Sequence, residues 1–240
     1  MIVRWLVPAP VQGWDEGRRR ACGALAGLAL TLLGRSARAG AQIEEPLADS
    51  VRTALSSAVA KSAPPIPEFP DLEKRLAYLR WLGAMSSRLR RRTTEWLERK
   101  EFLQTVWYES RRAGLDPGLV LGLIQVESNF RKFAVSGAGA RGYMQVMPFW
   151  TRVIGDGDAS KLFHMQTNLR FGCVILRHYI ERERGDLFMA LGRYNGSRGQ
   201  PQYPNAVFGA GKFWEFHDVP PTERTSDATG RFEKAIGGAS

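Results

Sequence analysis

The chain has 240 residues, of which 44% are hydrophobic and 24% are charged. This balance excludes a disordered or fibrous protein and allows a packed core. The formal net charge of +10 suits an anionic polymer or surface as partner, whereas nucleic acid is not expected because no nucleic-acid-binding motif accompanies the charge.

Residues 1–39 have the features of a signal peptide. Arg18 to Arg20 precede an apolar run from Ala21 to Gly34, and Ala37 and Ala39 provide small residues for a cut before Gly40. The alternative is a membrane anchor, but the run is shorter than the roughly 20 apolar residues that span a bilayer. We therefore expect a protein exported to the periplasm or cell envelope, with no stable membrane span after signal removal. Removing six arginines and two acidic residues with this segment lowers the formal charge from +10 to +6.

Residues 40–94 are predicted to form an N-terminal helical segment and linker. Loose helical character over 44–62 ends at a proline-rich run over 63–70. A helical pattern resumes at Asp71 and continues through four leucines, Leu72, Leu76, Leu79 and Leu82. The arginines at positions 88, 90, 91 and 92 follow. They can contact an anionic polymer, although a solvated helix face is the simpler interpretation.

Residues 95–215 are predicted to form one mainly α domain, followed by a flexible tail over 216–240. Asp116 is a good N-cap and Pro117 fits a first helical turn, so a helix is predicted from Pro117 to about Phe130. Gly and Ala over 134–145 predict a loop or a small β-hairpin. The other predicted helices begin at Trp96 and at Pro148 and run over about Asn168–Glu183 and Asp186–Tyr194, with stops at Gly114, Gly185 and Gly196.

Cysteine and histidine usage predicts no disulfide, metal site or cofactor. Cys22 lies in the predicted signal peptide, which leaves Cys173 alone in the mature chain. Apolar neighbours make Cys173 a core residue rather than a nucleophile. The three histidines are far apart in the sequence and form no metal-binding pattern.

Glu127 is the candidate for acid–base chemistry. It follows Val120, Leu123 and Ile124 at helical spacing, which places its carboxyl on the inward face of the helix. Burial and the nearby helix C-terminus both disfavour negative charge, so we expect a raised pKa and a general acid. The alternative is an ordinary ion pair with Arg131, one turn later.

Four ordered motifs over about residues 100–210 resemble the soluble lytic transglycosylases, a lysozyme-like family of the bacterial cell wall. Any one of these motifs alone is weak evidence, but all four in the same order are specific for the family. They are Glu127-Ser128, the segment Gly142-Tyr143-Met144-Gln145 with Met147-Pro148, Asn168 with Gly172, and Tyr194-Asn195.

The resemblance implies a lysozyme-like α+β domain that cleaves peptidoglycan glycan strands without water, leaving a 1,6-anhydromuramic end. Glu127 would act first as acid and then as base. Ser128 would help to position the carboxyl and the sugar, unless it is only a helix-end cap. The resemblance also assigns Met144 and Gln145 to the cleft, Tyr194 to a hydroxyl contact with Glu127, and Asn195 to substrate binding. An envelope or secretion assembly is a further possible partner.

The sequence leaves two alternatives to this function open, a hydrolytic enzyme and a non-catalytic scaffold. A hydrolytic lysozyme of the goose type normally needs a second carboxylate, and the nearest acids downstream, Asp156 and Asp158, have the sequence context of a surface turn. A non-catalytic wall-binding scaffold would not need Glu127. Two residues depart from the family pattern: Tyr143 could stack on a sugar or pack in the core, and Arg193 could contact an acidic peptide stem or point to solvent.

Overall fold

The computed structural model describes Gln42, residues 44–60 and residues 67–218. The predicted signal peptide, the first half of the proline-rich run and most of the predicted tail lie outside the described residues. The described residues form a helical fold without strands, and its elements are α1 Asp49–Ala60, α2 Leu72–Leu89, α3 Trp96–Arg112, α4 Pro117–Ser128, α5 Phe149–Ile154, a 3-10 helix Ala159–Phe163, α6 Met165–Arg182, α7 Leu187–Asn195 and α8 Gln202–Trp214.

Aspartate caps begin three of these helices. The side chains of Asp71, Asp116 and Asp186 each accept a hydrogen bond from the backbone N–H three residues later. Each bond satisfies one N–H that the first helical turn leaves without a partner. At the other end of α7, Gly196 adopts a left-handed conformation with φ of 80°. The predicted N-cap at Asp116 and the predicted helix stop at Gly196 are therefore both confirmed.

Helix α2 forms as predicted, but its leucines do not mark its buried face. Leu72, Leu76 and Leu79 are 66%, 36% and 48% exposed. The face that packs toward α3 instead carries larger side chains together with one of the predicted leucines, namely Tyr78, Trp81, Leu82, Met85 and Leu89. The aromatic rings bury more apolar area than the leucines would, so packing selects this face.

Helix α4 lies at the centre of the core and positions the site. Val120, Leu121, Leu123 and Ile124 have no exposed surface. Helix α8 packs closely along α4 at Gly122, where an added Cβ would lie 2.7 Å from the backbone nitrogen of Gly211. Close backbone approach therefore fixes α8 against the helix that carries Glu127.

The segment after α4 is a loop held by isolated bridges, as the sequence predicts. Arg141 pairs with Val135 and with Val146. Asn168, in the first turn of α6, fixes this loop: its Oδ1 accepts from the Met144 N–H at 2.8 Å, and its Nδ2 donates to the Arg141 carbonyl at 2.8 Å. The loop therefore keeps a defined conformation without a sheet.

Two glycines allow this loop to pack against α6. Gly142 has φ of 76°, and an added Cβ would overlap the amide of Asn168. At Gly172, an added Cβ would overlap the sulfur of Met144 and lie 2.7 Å from its Cβ. The Asn168 and Gly172 motif thus holds the loop that carries Met144.

The residues ahead of α1 pack on the ends of α6 and α7. Glu45 forms ion pairs with Arg182 and Arg193, and Arg193 also pairs with Glu183. Gln42 is buried and its Oε1 accepts from the Trp150 indole at 2.8 Å. Both interpretations offered for Arg193 are therefore wrong, because carboxylates of this chain take up its guanidinium. Across the described helices, no segment is long and apolar enough to cross a membrane.

Replacing Gly172 with alanine should destabilise the protein by about 1–3 kcal/mol, because Met144 must move out of a packed core. Urea unfolding measures this loss. Gly83→Ala is the matched control: it lies in α2 with open space around it and should be neutral or up to about 1 kcal/mol more stable, since alanine favours a helix. Equal stabilities for wild type and Gly172→Ala would contradict the packing described here.

Candidate active site

Glu127 lies in the last turn of α4, with its carboxyl in the core as predicted. The residue is 6% exposed. Helix α4 ends at Ser128, two residues earlier than predicted, because Asn129 and Phe130 both have positive φ. Arg92 supports this turn: its Nε donates to Asn129 Oδ1 at 2.9 Å, and its guanidinium lies over the Phe130 ring.

The two carboxyl oxygens of Glu127 have different surroundings. The Tyr203 hydroxyl donates to Oε1 at 2.5 Å, whereas Oε2 is buried with no hydrogen-bond partner among the described residues. Burial raises the pKa of Glu127 to about 8, against the opposing effect of the hydrogen bond from Tyr203. A carboxyl with this pKa holds its proton at neutral pH, which is the state a general acid needs.

The alternative ion pair with Arg131 does not form. Arg131 Nε donates to the Ser128 carbonyl at 3.0 Å, which caps the end of α4. Because no described cation pairs with Glu127, desolvation determines its protonation.

The predicted hydroxyl contact of Tyr194 with Glu127 is wrong. The Tyr194 hydroxyl donates to the Met144 carbonyl at 2.8 Å. Tyr194 lies at the end of α7, where its fully buried ring reaches the loop, and Tyr203 at the start of α8 occupies the position beside the carboxyl. Tyr194 therefore positions the loop, and Tyr203 holds the acid.

The predicted cleft residues Met144 and Gln145 are buried in the loop. The Met144 side chain has no exposed surface and packs against Gly172, so the expectation that it lines the cleft is wrong. Gln145 Nε2 donates to the carbonyls of Ala134 and Gly142 at 3.1 and 2.9 Å. These bonds stabilise a residue with φ of 48° and direct its amide nitrogen to the loop backbone.

Ser128 and Asn195 have different surroundings. The Ser128 hydroxyl donates to the Tyr143 carbonyl at 2.7 Å, which ties the end of α4 to the loop; this is neither a contact with the carboxyl nor a simple cap. Asn195 Nδ2 donates to Ser197 Oγ at 2.9 Å, and its Oδ1 is buried without a partner among the described residues. Asn195 therefore keeps an acceptor for a ligand, and its substrate role stays a prediction.

The remaining candidates agree with their simpler interpretations. Asp156 and Asp158 are exposed in a turn, where they bond Lys161 and Ser160. Cys173 is buried, and burial raises the pKa of its thiol, so it is a core residue. The described part of the chain contains no cluster of side chains that could hold a metal ion.

Tyr203 is the site residue that the sequence analysis missed. Helix α8 was not predicted, because Pro204, Gly209 and Gly211 weaken its helical pattern. A signal was nevertheless present: Tyr203, Val207 and Trp214 recur at spacings of four and seven, and all three are buried. That apolar stripe would have placed Tyr203 on the inward face.

At the end of its central helix, the described domain thus holds one buried carboxyl that keeps its proton and can take part in acid–base chemistry. Residues 105–216 match the family model described as the transglycosylase SLT domain. The matched stretch contains all four motifs, and the match agrees with the resemblance that they predict.

Known proteins resemble parts of this chain. A transglycosylase of Enterobacteria phage PRD1 is 33% identical over 103 residues, which are 43% of this chain and 37% of the phage protein. Membrane-bound lytic murein transglycosylase C of Mannheimia succiniciproducens is 47% identical over 49 residues, covering 20% of this chain and 14% of that protein. The chain therefore spans well under half the length of these curated relatives.

One solved structure shows a looser similarity. An inactive mutant of the lytic transglycosylase Slt from Pseudomonas aeruginosa is 22% identical, with a TM-score of 0.42. The match covers 46% of this chain and 23% of that structure.

The raised pKa of Glu127 predicts how stability depends on pH. Below about pH 4.5 the carboxyl is protonated in both states, whereas between about 4.5 and 8 only the folded state keeps the proton. The stability of the wild type relative to Glu127→Gln should therefore fall by about 1.4 kcal/mol per pH unit across this range and level off above it. Urea unfolding of both proteins from pH 4 to 9 measures the difference. Parallel stability curves would show that Glu127 is ionised in the folded protein.

Proposed function

We propose that this chain is a peptidoglycan lytic transglycosylase, which cleaves the β-1,4 bond between N-acetylmuramic acid and N-acetylglucosamine without consuming water. The observation that carries the proposal is the buried carboxyl of Glu127, which no described cation pairs with; one of its oxygens is bonded to Tyr203 and the other is available. The match of residues 105–216 to the SLT family supports it.

The reaction needs one residue to act twice. Protonated Glu127 donates its proton to the linking oxygen, and the bond from that oxygen to C1 of the muramic sugar breaks. The sugar's N-acetyl group stabilises the positive charge at C1. Glu127, now a carboxylate, removes the proton from the 6-hydroxyl of the same sugar, whose oxygen bonds to C1. The acid is regenerated, and the product carries a 1,6-anhydro end.

The surroundings of Glu127 suit this sequence better than hydrolysis. A hydrolytic pair of carboxylates needs a second acid about 5–10 Å away. Asp156 and Asp158 are committed to an exposed turn, and the buried acid Glu109 pairs with Arg170 and Arg112. A single acid with an intramolecular nucleophile requires no such partner.

We further propose that the protein acts in the periplasm or cell envelope. The signal-peptide features of residues 1–39 and the basic charge support export toward an anionic wall. The relative named membrane-bound lytic murein transglycosylase C is consistent with that location. An envelope or secretion assembly is a compatible partner.

Mass spectrometry of products from purified sacculi tests the reaction. The wild type should release muropeptides lighter by one water, the mass of anhydro ends. Glu127→Gln should lower this rate by at least about 100-fold, because it removes the general acid, and Glu95→Gln, at an exposed residue before α3, should retain it. Reducing ends alone would replace this mechanism with hydrolysis. Absence of cleavage by the wild type, or full activity of Glu127→Gln, would contradict an enzyme that uses this acid.

Tyr203→Phe tests the hydrogen bond to the carboxyl. Losing a bond that lowers the pKa of Glu127 should move the alkaline limb of kcat/KM to higher pH. It should also reduce kcat by about 10- to 100-fold, since the bond also stabilises the carboxylate that acts as base. Tyr194→Phe is the matched control, since its hydroxyl bonds the loop and its loss should leave the limb in place. A shift in Tyr194→Phe alone would reverse the two roles.

A further inference from the structure

The junction between α2 and α3 places two large apolar side chains in solvent. Trp96 and Leu97, the first two residues of α3, are 48% and 73% exposed, and neither belongs to the hydrophobic core. We name residues 90–100 the hairpin tip. Single exposed apolar residues are common on protein surfaces, so this pair is informative only together with the charges around it.

Cations without partners surround the apolar pair. Arg90 and Arg91 are exposed directly after α2, and Lys100 is exposed one turn after Trp96. Within the described residues, the side chains of these three cations form no ion pair or hydrogen bond. The hairpin tip carries five arginines and lysines against two glutamates, a net formal charge of +3. It is therefore basic as well as apolar.

A buried arginine fixes the shape of the hairpin tip. Arg99 is 8% exposed, and its Nε donates to Ser86 Oγ at 3.0 Å. Its Nη1 donates to the Thr93 carbonyl at 2.7 Å and also to the Thr94 carbonyl. The guanidinium lies 5.9 Å from the centre of the Trp96 ring. Because these bonds hold the turn from inside, the apolar pair is presented to solvent in a defined position.

The combination of charge and apolar surface selects the kind of partner. A wall polymer of sugars and carboxylates would pair with the cations, but it would give the Leu97 side chain no apolar environment. A second copy of the hairpin tip would bring like charges together. A bilayer with anionic headgroups offers phosphates to the cations and acyl chains to the leucine. A tryptophan ring is most stable at that same boundary.

The hairpin tip lies at the same end of the fold as Glu127. Arg92, within the tip, bonds Asn129, the residue that follows α4, and Glu127 lies in the last turn of α4. The tip also lies ahead of residue 105, where the match to the SLT family model begins. Docking through the tip would therefore hold Glu127 near a surface without using any residue that bonds its carboxyl.

We propose that the hairpin tip docks the protein on the surface of an anionic phospholipid bilayer, an inference that is independent of the proposed reaction. Trp96 and Leu97 enter the boundary between headgroups and acyl chains, and Arg90, Arg91 and Lys100 pair with lipid phosphates. The association is peripheral and reversible, since it uses two apolar side chains and a few charges rather than a spanning helix.

Vesicle co-sedimentation tests this docking. The protein used begins at Gly40, which retains every described residue but not the apolar run over 21–34. The vesicles contain phosphatidylcholine alone or an equal mixture with phosphatidylglycerol. The wild type should bind the mixed vesicles at least about tenfold more tightly, because each cation near an anionic surface strengthens binding about fivefold. Added salt should weaken this preference.

Two variants separate the charged from the apolar contribution. Arg90→Gln with Arg91→Gln should weaken binding to mixed vesicles about 20-fold at low salt and much less at high salt. Trp96→Ser with Leu97→Ser should weaken it at least about tenfold at both salt concentrations, since burial of apolar area is not screened. Leu97→Ser alone, at an exposed residue that leaves the contact of Arg99 with Trp96 intact, should lose about threefold.

Matched controls make the same kinds of change elsewhere. Arg111→Gln with Arg184→Gln removes two exposed cations, at the far end of α3 and after α6. Leu72→Ser with Leu76→Ser removes two exposed leucines at the start of α2. Both controls should bind like the wild type. Equal affinity of the wild type for neutral and mixed vesicles, tip variants that bind like the wild type, or control variants that lose as much as the tip variants would each overturn the proposal.

Trp96 also reports its own position at the membrane. Lipids brominated on their acyl chains quench the fluorescence of an indole that reaches them. With mixed vesicles, the wild type should be quenched more than Trp96→Phe, which keeps an aromatic ring at the same place but contributes no indole emission. Equal quenching of the two proteins would show that Trp96 stays in water and would overturn docking through the hairpin tip.

Discussion

The site depends on keeping one carboxyl out of water. Burying an ionised carboxylate is costly, so Glu127 holds its proton, and the surrounding core determines that state. Two features of the fold make the burial possible. Helix α4 is apolar along its inward face, and α8 approaches it closely at Gly122, which brings Tyr203 to the carboxyl. The Tyr203 hydroxyl then satisfies one oxygen and leaves the other for chemistry.

The loop beside the acid depends on a second set of contacts that converge on its backbone. Asn168 bonds the loop from α6, Tyr194 from α7 and Ser128 from α4. Gly172 gives Met144 the space to pack beneath it. Ser128 and Tyr194, which the motif resemblance placed at the carboxyl, thus bond the loop backbone instead, and a motif does not distinguish these two kinds of contact.

Local rules predicted much of this structure. Asp116 and Pro117 fixed the start of α4, and helical spacing placed Glu127 inward, because capping and periodicity act within one or two turns. The predictions that failed concerned features that tertiary contacts determine. Leu72, Leu76 and Leu79 are apolar and at helical spacing, but they are exposed, and Tyr78 and Trp81 occupy the buried face of α2.

The prediction that Tyr194 contacts Glu127 failed for the same reason, because Tyr203 makes that contact. Tyr194 and Tyr203 are nine residues apart and both are buried, so sequence alone does not say which hydroxyl reaches Glu127. The crossing of α7 and α8 decides it. The stretch with Pro204, Gly209 and Gly211 reads as a poor helix, yet it forms α8 because packing against α4 outweighs propensity.

The protonation state of Glu127 can be observed without any substrate. Carbon-13 NMR of the side-chain carboxyl, assigned by its absence in Glu127→Gln, follows its titration directly. The account predicts a midpoint near pH 8, well above the ordinary value for glutamate. A midpoint near 4.5 would show an ionised carboxylate at neutral pH and would contradict a general acid at this position.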